Sequence, residues 1–253
     1  MTITYDFFQA ALESLKPQDS SSLLSHSRLL GFDTETTGVK PGKDAIVSAC
    51  LVLRDPQRGS EGDMQAQWII NPHRKISPGA SRVNGFTNEY LEEHGAEPIE
   101  AIKQIAYIIA LAQSKHIPLL AYNAPFDIAM LNGDLERWCS PMIPAFNPSQ
   151  MLVVDPLVMD RAVSKRSGRR SLEYTTEYYG VVPEGNFHDA AADTIAAIDL
   201  IKPMTTLYPQ LAHLTIDNLM DWQRQAHQQW SDSYRQWAKD HNKQYIAINT
   251  HWL

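Results

Sequence analysis

The sequence predicts an α/β protein: a mixed five-stranded sheet flanked by helices and followed by a C-terminal helical extension. Three observations carry that expectation. Apolar runs separated by turn-forming residues come first, as in a strand meander. Strand-like and helix-like patterns then alternate. From about Leu207 the composition turns polar, with aromatic residues at helical spacing.

Taken in order, Phe7, Phe8, Ala11, Leu12 and Leu15 recur with helical period over residues 6–15, and Ser20 to Ser22 read as a linker. Residues 28–34 are an apolar run ending in polar residues, a first strand. Residues 45–53, rich in Val, Ile and Leu, are a second. Turn chemistry at 56–62 leads into a third strand at 64–70, so the three form an antiparallel meander. Ile99, Ile102, Ile105, Ala106 and Ile109 then line one face of a helix over 97–114.

A fourth strand is expected at 117–122, a helix at 126–138, and a short fifth strand at 151–154 ending at Asp155. Helices follow at 172–179 and 190–200. In the tail, Trp230, Tyr234 and Trp237 fall at i, i+4 and i+7 of a long helical pattern, which reads as a stripe buried against the main domain. The expected division is an N-terminal helix and linker (1–26), a main domain (27–208) and a helical extension packed on it (209–253).

Bulk properties narrow the function. The chain has 253 residues, enough for one sizeable core and an appendage. A net charge of −7 argues against coating nucleic acid by electrostatics alone. The basic cluster Lys165, Arg166, Arg169 and Arg170 reads equally as a solvated loop or as a means of steering phosphates. No apolar run approaches the roughly 20 residues of a membrane span, and no signal peptide is expected. Cys50 and Cys139 offer no disulfide framework, so a cytoplasmic setting is expected.

Three distant segments supply four carboxylates and one histidine. Asp33 and Glu35 are two apart at a strand end, so both side chains leave the same face. Two such acids repel at neutral pH, and a shared divalent cation removes the cost. Gly38 permits a tight turn, and the backbone amides of Thr36 and Thr37 are placed to face a nucleotide. Asp127 lies in the first turn of a helix after a buried strand, with Asn123 at the strand's C-terminal end, where open α/β sheets gather ligands. His188 and Asp193, five apart, would be about 140° apart on one helix. His188 therefore belongs just ahead of the helix and Asp193 inside it. Each fragment alone has a bland reading: a solvated strand edge, a partner of the helix dipole, a surface histidine.

Together, Asp33-Thr34-Glu35-Thr36-Thr37-Gly38, Asn123 to Asp127 and His188 through Asp193 resemble the three motifs of the DEDDh family of 3′-to-5′ exonucleases. Ile70-Asn71-Pro72, Ile76 to Ala80 and Val83 to Thr87 are similar to that family's loop between third strand and first helix of the domain. The resemblance implies a ribonuclease H-like fold, with 27–208 as the exonuclease domain. It implies two divalent ions, Mg²⁺ or Mn²⁺, held by Asp33, Glu35, Asp127 and Asp193, with His188 as general base. Thr36, Thr37, Gly38, Asn84 and Asn123 would contact substrate. Family members often carry histidine where this chain has Asn84, so altered affinity or nucleotide preference is expected. The substrate implied is an unpaired 3′ end, DNA favoured because Glu35-Thr36-Thr37-Gly38 is similar to proofreading enzymes. The same chemistry on RNA is the nearest alternative, and a polymerase-associated interaction subunit the next. A DNA polymerase or a second copy of the chain is the protein partner such relatives suggest.

Overall fold

The computed structural model describes residues 3–183, 185, 187–242 and 252–253. Helix α1 (Tyr5–Ser14) starts where the Thr4 hydroxyl accepts the Phe7 amide, and it buries Phe8 and Leu12 in the main core. Strands β1 (Leu29–Thr36), β2 (Ile46–Arg54) and β3 (Met64–Ile69) form the antiparallel meander. Helices α2 (Pro78–Asn84), α3 (Asn88–His94) and α4 (Pro98–Ser114) follow. Strands β4 (Leu119–Leu120) and β5 (Val153–Val154) then join in parallel, giving the order β3-β2-β1-β4-β5.

Helix α5 (Pro125–Asp134) lies between β4 and β5 and continues as a π-helical turn, Leu135–Cys139. After β5 come α6 (Pro156–Val163), α7 (Leu172–Tyr179), α8 (Ala190–Asp199), α9 (Ile201–Leu207), α10 (Pro209–Ala212) and α11 (Leu219–Asp240).

The sheet separates two apolar layers. Leu30 and Phe32 of β1 face α1, α4 and α5, whereas Leu29 faces α8 and α9 together with Cys50, Val52 and Leu120. The alternation of a strand puts Gly31, Asp33 and Glu35 on the α8 side and Thr34 on the other. Gly31 allows α8 to close on the sheet. A Cβ there would lie 2.5 Å from Cδ1 of Ile198 and 2.7 Å from Cγ2 of Thr194.

β4 and β5 are only two residues long, and two glutamine side chains extend their pairing. Gln113 of α4 accepts the Leu152 amide and donates to its carbonyl (2.7 and 3.1 Å). Gln223 of α11 accepts the Asp155 amide at 2.8 Å and donates to the Val153 carbonyl at 2.7 Å. The side-chain amide thus stands where a further strand would pair.

Three expectations are corrected. The segment after β3, read as a loop, contains α2 and α3. Each spans seven residues, too short to show apolar periodicity, and their signals are the caps Ser77 and Thr87. The aromatic stripe of the tail is not buried. Trp237 is 45% exposed, and Leu219, Gln223, Ala226, His227, Ser231 and Ala238 make up the buried side of α11. Small residues let α11 approach α6 closely, while Trp230 and Tyr234 stack on each other with the Arg161 guanidinium 3.8 Å from the Trp230 ring centroid. In the basic cluster, Arg166 and Arg170 both pair with the buried carboxylate of Asp160, which also accepts the Tyr179 hydroxyl. Burial would raise the pKa of Asp160, but those bonds hold it below the usual range. Among the described residues, no helix is long and apolar enough to cross a membrane, and Cys50 and Cys139 are free and buried.

Candidate active site

Asp33 and Glu35 occupy the C-terminal end of β1 on the face that α8 covers, and α8 delivers Asp193 from its first turn. His188 stands ahead of α8 with a left-handed backbone (φ 69°), and Asp189 caps the helix by accepting the amides of Ala191 and Ala192. The His188 amide donates to Oδ2 of Asp193 at 3.2 Å. One ligand atom each from Glu35, His188 and Asp193 lie within 4.8 Å of one another. Glu35 and Asp193 are buried at that point, and His188 is exposed.

Asp127 enters from α5 at the rim of the opposite face, 3% exposed, where its Oδ1 accepts the Thr34 hydroxyl at 2.7 Å. Asn123, also in left-handed backbone (φ 67°), precedes α5 and is exposed. The turn from β4 into α5 is held by Asp155. Its two carboxylate oxygens accept the amides of Asn123, Ala124 and Leu157 and the Trp252 indole N–H. Sequence reasoning marked Asp155 only as a strand end. Its signal was an acid closing a buried strand directly before a proline.

On the other side, Asn84 closes α2 and donates from its amide nitrogen to the Thr36 carbonyl at 3.2 Å, beside Glu35. The Thr36 hydroxyl donates to the Gly38 carbonyl at 2.6 Å. A Cβ on Gly38 would meet the Asp44 carboxylate at 2.6–2.8 Å, so a side chain there would displace that carboxylate, which accepts the Lys40 amide. Thr37 differs from the expectation. It is 2% exposed, its amide donates to the Ala45 carbonyl (2.9 Å) and its hydroxyl accepts the Ala45 amide (3.0 Å), so its amide is taken by the protein. A register irregularity between Glu35 and Thr36 turns the chain at that point.

The acids perturb one another. Asp33 is driven well above the ordinary carboxylate range by burial and then by repulsion from Asp127, Asp193 and Glu35. Glu35 is pushed up to about 8 by burial and Asp193, with the Asn84 amide opposing. Asp193 rises to about 6 through burial, opposed by the His188 amide. Asp127 is raised by burial against the Thr34 hydroxyl. Oδ1 of Asp193 is buried without a hydrogen-bond partner. An orphaned carboxylate oxygen, crowded acids and hard oxygen donors together fit a divalent cation.

The chain is similar to known exonucleases and polymerase subunits. A family model described as Exonuclease (RNase_T) matches residues 30–201. DNA polymerase III subunit epsilon of Treponema pallidum is 31% identical over 181 residues, 71% of this chain and 77% of that protein. The PolC-type DNA polymerase III of Streptococcus pneumoniae is 26% identical over 201 residues, 77% of this chain but 13% of its own length. Among solved structures, E. coli exonuclease I in complex with a dA16 oligonucleotide superposes with a TM-score of 0.60 at 21% identity, over 73% of this chain and 42% of that one. The chain thus matches about three quarters of the epsilon subunit but less than half of the PolC-type polymerase and of exonuclease I. With the family model covering β1 through α8 and the carboxylates gathered at one end of the sheet, the chain belongs to the exonuclease family, nucleases of the 3′-to-5′ type on a ribonuclease H-like fold.

Proposed function

We propose that the chain is a metal-dependent 3′-to-5′ exonuclease of the DEDDh type, hydrolysing single-stranded or unpaired 3′ ends of DNA to nucleoside 5′-monophosphates. The observation that carries this reading is the convergence of Glu35, His188 and Asp193 within 4.8 Å, next to Asp33 on the same strand face. Asp33, Glu35, Asp127 and Asp193 would hold two Mg²⁺ or Mn²⁺ ions. Such ions, when bound, neutralise the four acids and stabilise charge on the scissile phosphate. His188 takes the proton of the attacking water as the new O–P bond forms in line and the bond from phosphorus to the 3′ oxygen breaks. Asp193, within reach of the ring, stabilises the imidazolium that results. Gly38, Thr36, Asn84 and Asn123 border the terminal nucleotide, and a DNA polymerase is the protein partner the epsilon relatives suggest.

The test is degradation of a 5′-labelled single strand by the purified chain with Mg²⁺ or Mn²⁺, with a matched RNA in parallel. We expect stepwise shortening from the 3′ end and release of 5′-monophosphates, faster on DNA. Asp33→Ala and His188→Ala should each lower the rate by about 10²-fold or more. Cutting that survives chelation, or that proceeds equally on circular strands, overturns the reading.

A further inference from the structure

Two segments that frame the acid cluster carry five exposed cations: Lys40 and Lys43 on residues 38–44, Arg74, Lys75 and Arg82 on residues 72–84. The first segment continues β1 past Glu35. The second carries α2, which brings Asn84 to the site. The two are tied together at the site's edge. The Ser77 amide donates to the Thr37 carbonyl at 3.1 Å, the Asn84 amide to the Thr36 carbonyl at 3.2 Å, and Arg74 to the Lys43 carbonyl. Arg137 of the π-helical turn clamps the first segment from behind through the Gly42 and Asp44 carbonyls (2.8 and 3.0 Å).

Lys40, Lys43, Lys75 and Arg82 have no ion-pair partner among the described residues. The only acid within the two segments is Asp44, whose carboxylate accepts the Lys40 amide. The neighbouring α3 carries Glu89, Glu92 and Glu93 and bounds the basic strip on that side. In a chain of net charge −7 this concentration is not the general surface. Several arginines elsewhere are instead paired internally: Arg54 with Asp63 and Asp199, Arg137 with Asp134, Arg166 and Arg170 with Asp160.

We infer that this rim, through Lys40, Lys43, Lys75 and Arg82, binds the phosphodiester backbone of a single strand beyond its terminal nucleotide. The inference rests on the nuclease reading for its direction, since the rim is continuous with the site where the strand would end. Each cation placed against a phosphate releases condensed counterions, which makes the contribution legible as salt dependence.

The probe is a fluorescein-labelled single-stranded DNA of about 12 nucleotides, its binding followed by anisotropy in Ca²⁺ across a salt series. The fourfold variant Lys40→Gln, Lys43→Gln, Lys75→Gln, Arg82→Gln should bind about 10-fold or more weakly near physiological salt. Its slope of log affinity against log salt should be shallower by up to about 3. A second variant, Lys16→Gln, Arg58→Gln, Lys202→Gln, Lys239→Gln, removes equal charge elsewhere and should keep the parent slope. Equal losses in both variants, no loss in the rim variant, or no binding by the parent overturns the inference; an unaffected strand would leave the rim to an acidic protein surface. If the fourfold variant melts below the assay temperature, Lys40→Gln with Lys43→Gln is measured, with about half the change expected. Hydrolysis of thymidine 5′-monophosphate p-nitrophenyl ester by the parent in Mn²⁺ reads the nuclease reading separately. Its absence, with strand binding lost in the rim variant, would sink the chemistry and leave the rim standing.

Discussion

The Thr34 hydroxyl donates to Oδ1 of Asp127 across 2.7 Å, joining residues 93 apart in the chain, and both groups are buried. The contact couples the middle residue of the first motif, whose side chain faces away from the acids beside it, to the carboxylate of the second. The hydroxyl opposes the burial that raises Asp127, keeping the acid closer to its charged form. Thr34→Val keeps the β-branched shape and removes the donor. We expect a rate about 10-fold lower and a higher Mg²⁺ concentration for half-maximal activity, with Thr34→Ser close to the parent. A Mg²⁺ titration of the three proteins on one oligonucleotide checks it; equal titration curves would remove Thr34 from the site.

Gly31 sets the distance between β1 and α8. Gly31→Ala would drive a methyl group into Thr194 and Ile198, one and five residues beyond Asp193. Overpacking of this kind costs about 1–3 kcal/mol, a fall of about 5 °C in Tm for a domain of this size. The same displacement should separate Asp193 from Asp33 and Glu35, so activity should fall further than stability. Thermal melting beside a rate measurement well below Tm distinguishes the two effects.

The C-terminal extension completes the fold. Gln223 pairs with the backbone at β5, and Trp252 donates to Asp155, which in turn holds the turn into α5. Gln223→Leu should cost about 2 kcal/mol, because the Asp155 amide and Val153 carbonyl are left unpaired in the interior. Deleting everything after Leu207 also removes Leu211, Leu214, Ile216 and Leu219, all at most 3% exposed, and should abolish cooperative melting by circular dichroism. A truncated chain that melts near the parent would show the extension to be separable.

The acid cluster predicts a pH dependence of stability in the metal-free protein. Glu35 at about 8 and Asp193 at about 6 are raised above their unfolded values near 4. The folded state therefore holds protons that the unfolded state has released. The stabilisation is present at low pH and is lost as pH rises through about 6 and then about 8. In EDTA, Tm should fall by about 5 °C or more between pH 5 and 8. Mg²⁺ or Mn²⁺ should reverse the fall at the upper end, since a cation favours the ionised acids. A flat metal-free profile would show that the acids ionise independently.

The motifs were legible because each is local. Asp33 and Glu35 share a strand face through the two-residue period, and β1, β2 and α4 declare themselves by runs long enough to show a period. Thr37 was misjudged because the pairing of its amide with Ala45 depends on where β2 begins relative to β1. Trp230, Tyr234 and Trp237 do share one face of a helix, but periodicity does not say which face is covered. Only the small side chains Ala226, Ser231 and Ala238 permit close approach to a neighbour. Arg166 and Arg170 looked available because Asp160, their partner, lies in a helix with no visible period.

By itself, the sequence determined the strand meander, the strand–helix alternation, and which acids and which histidine belong to the three motifs, since each depends on residues within a turn or two of one another. The tertiary structure decided that Gly31 lets α8 bring Asp193 against the Asp33 face, and that Thr34 reaches Asp127. It also decided that Gln223 closes the sheet edge and that Lys40, Lys43, Lys75 and Arg82 come together beside the site. These are contacts between segments tens to more than a hundred residues apart. No local period encodes them, because they are selected by close packing and by the cost of leaving buried polar groups unpaired.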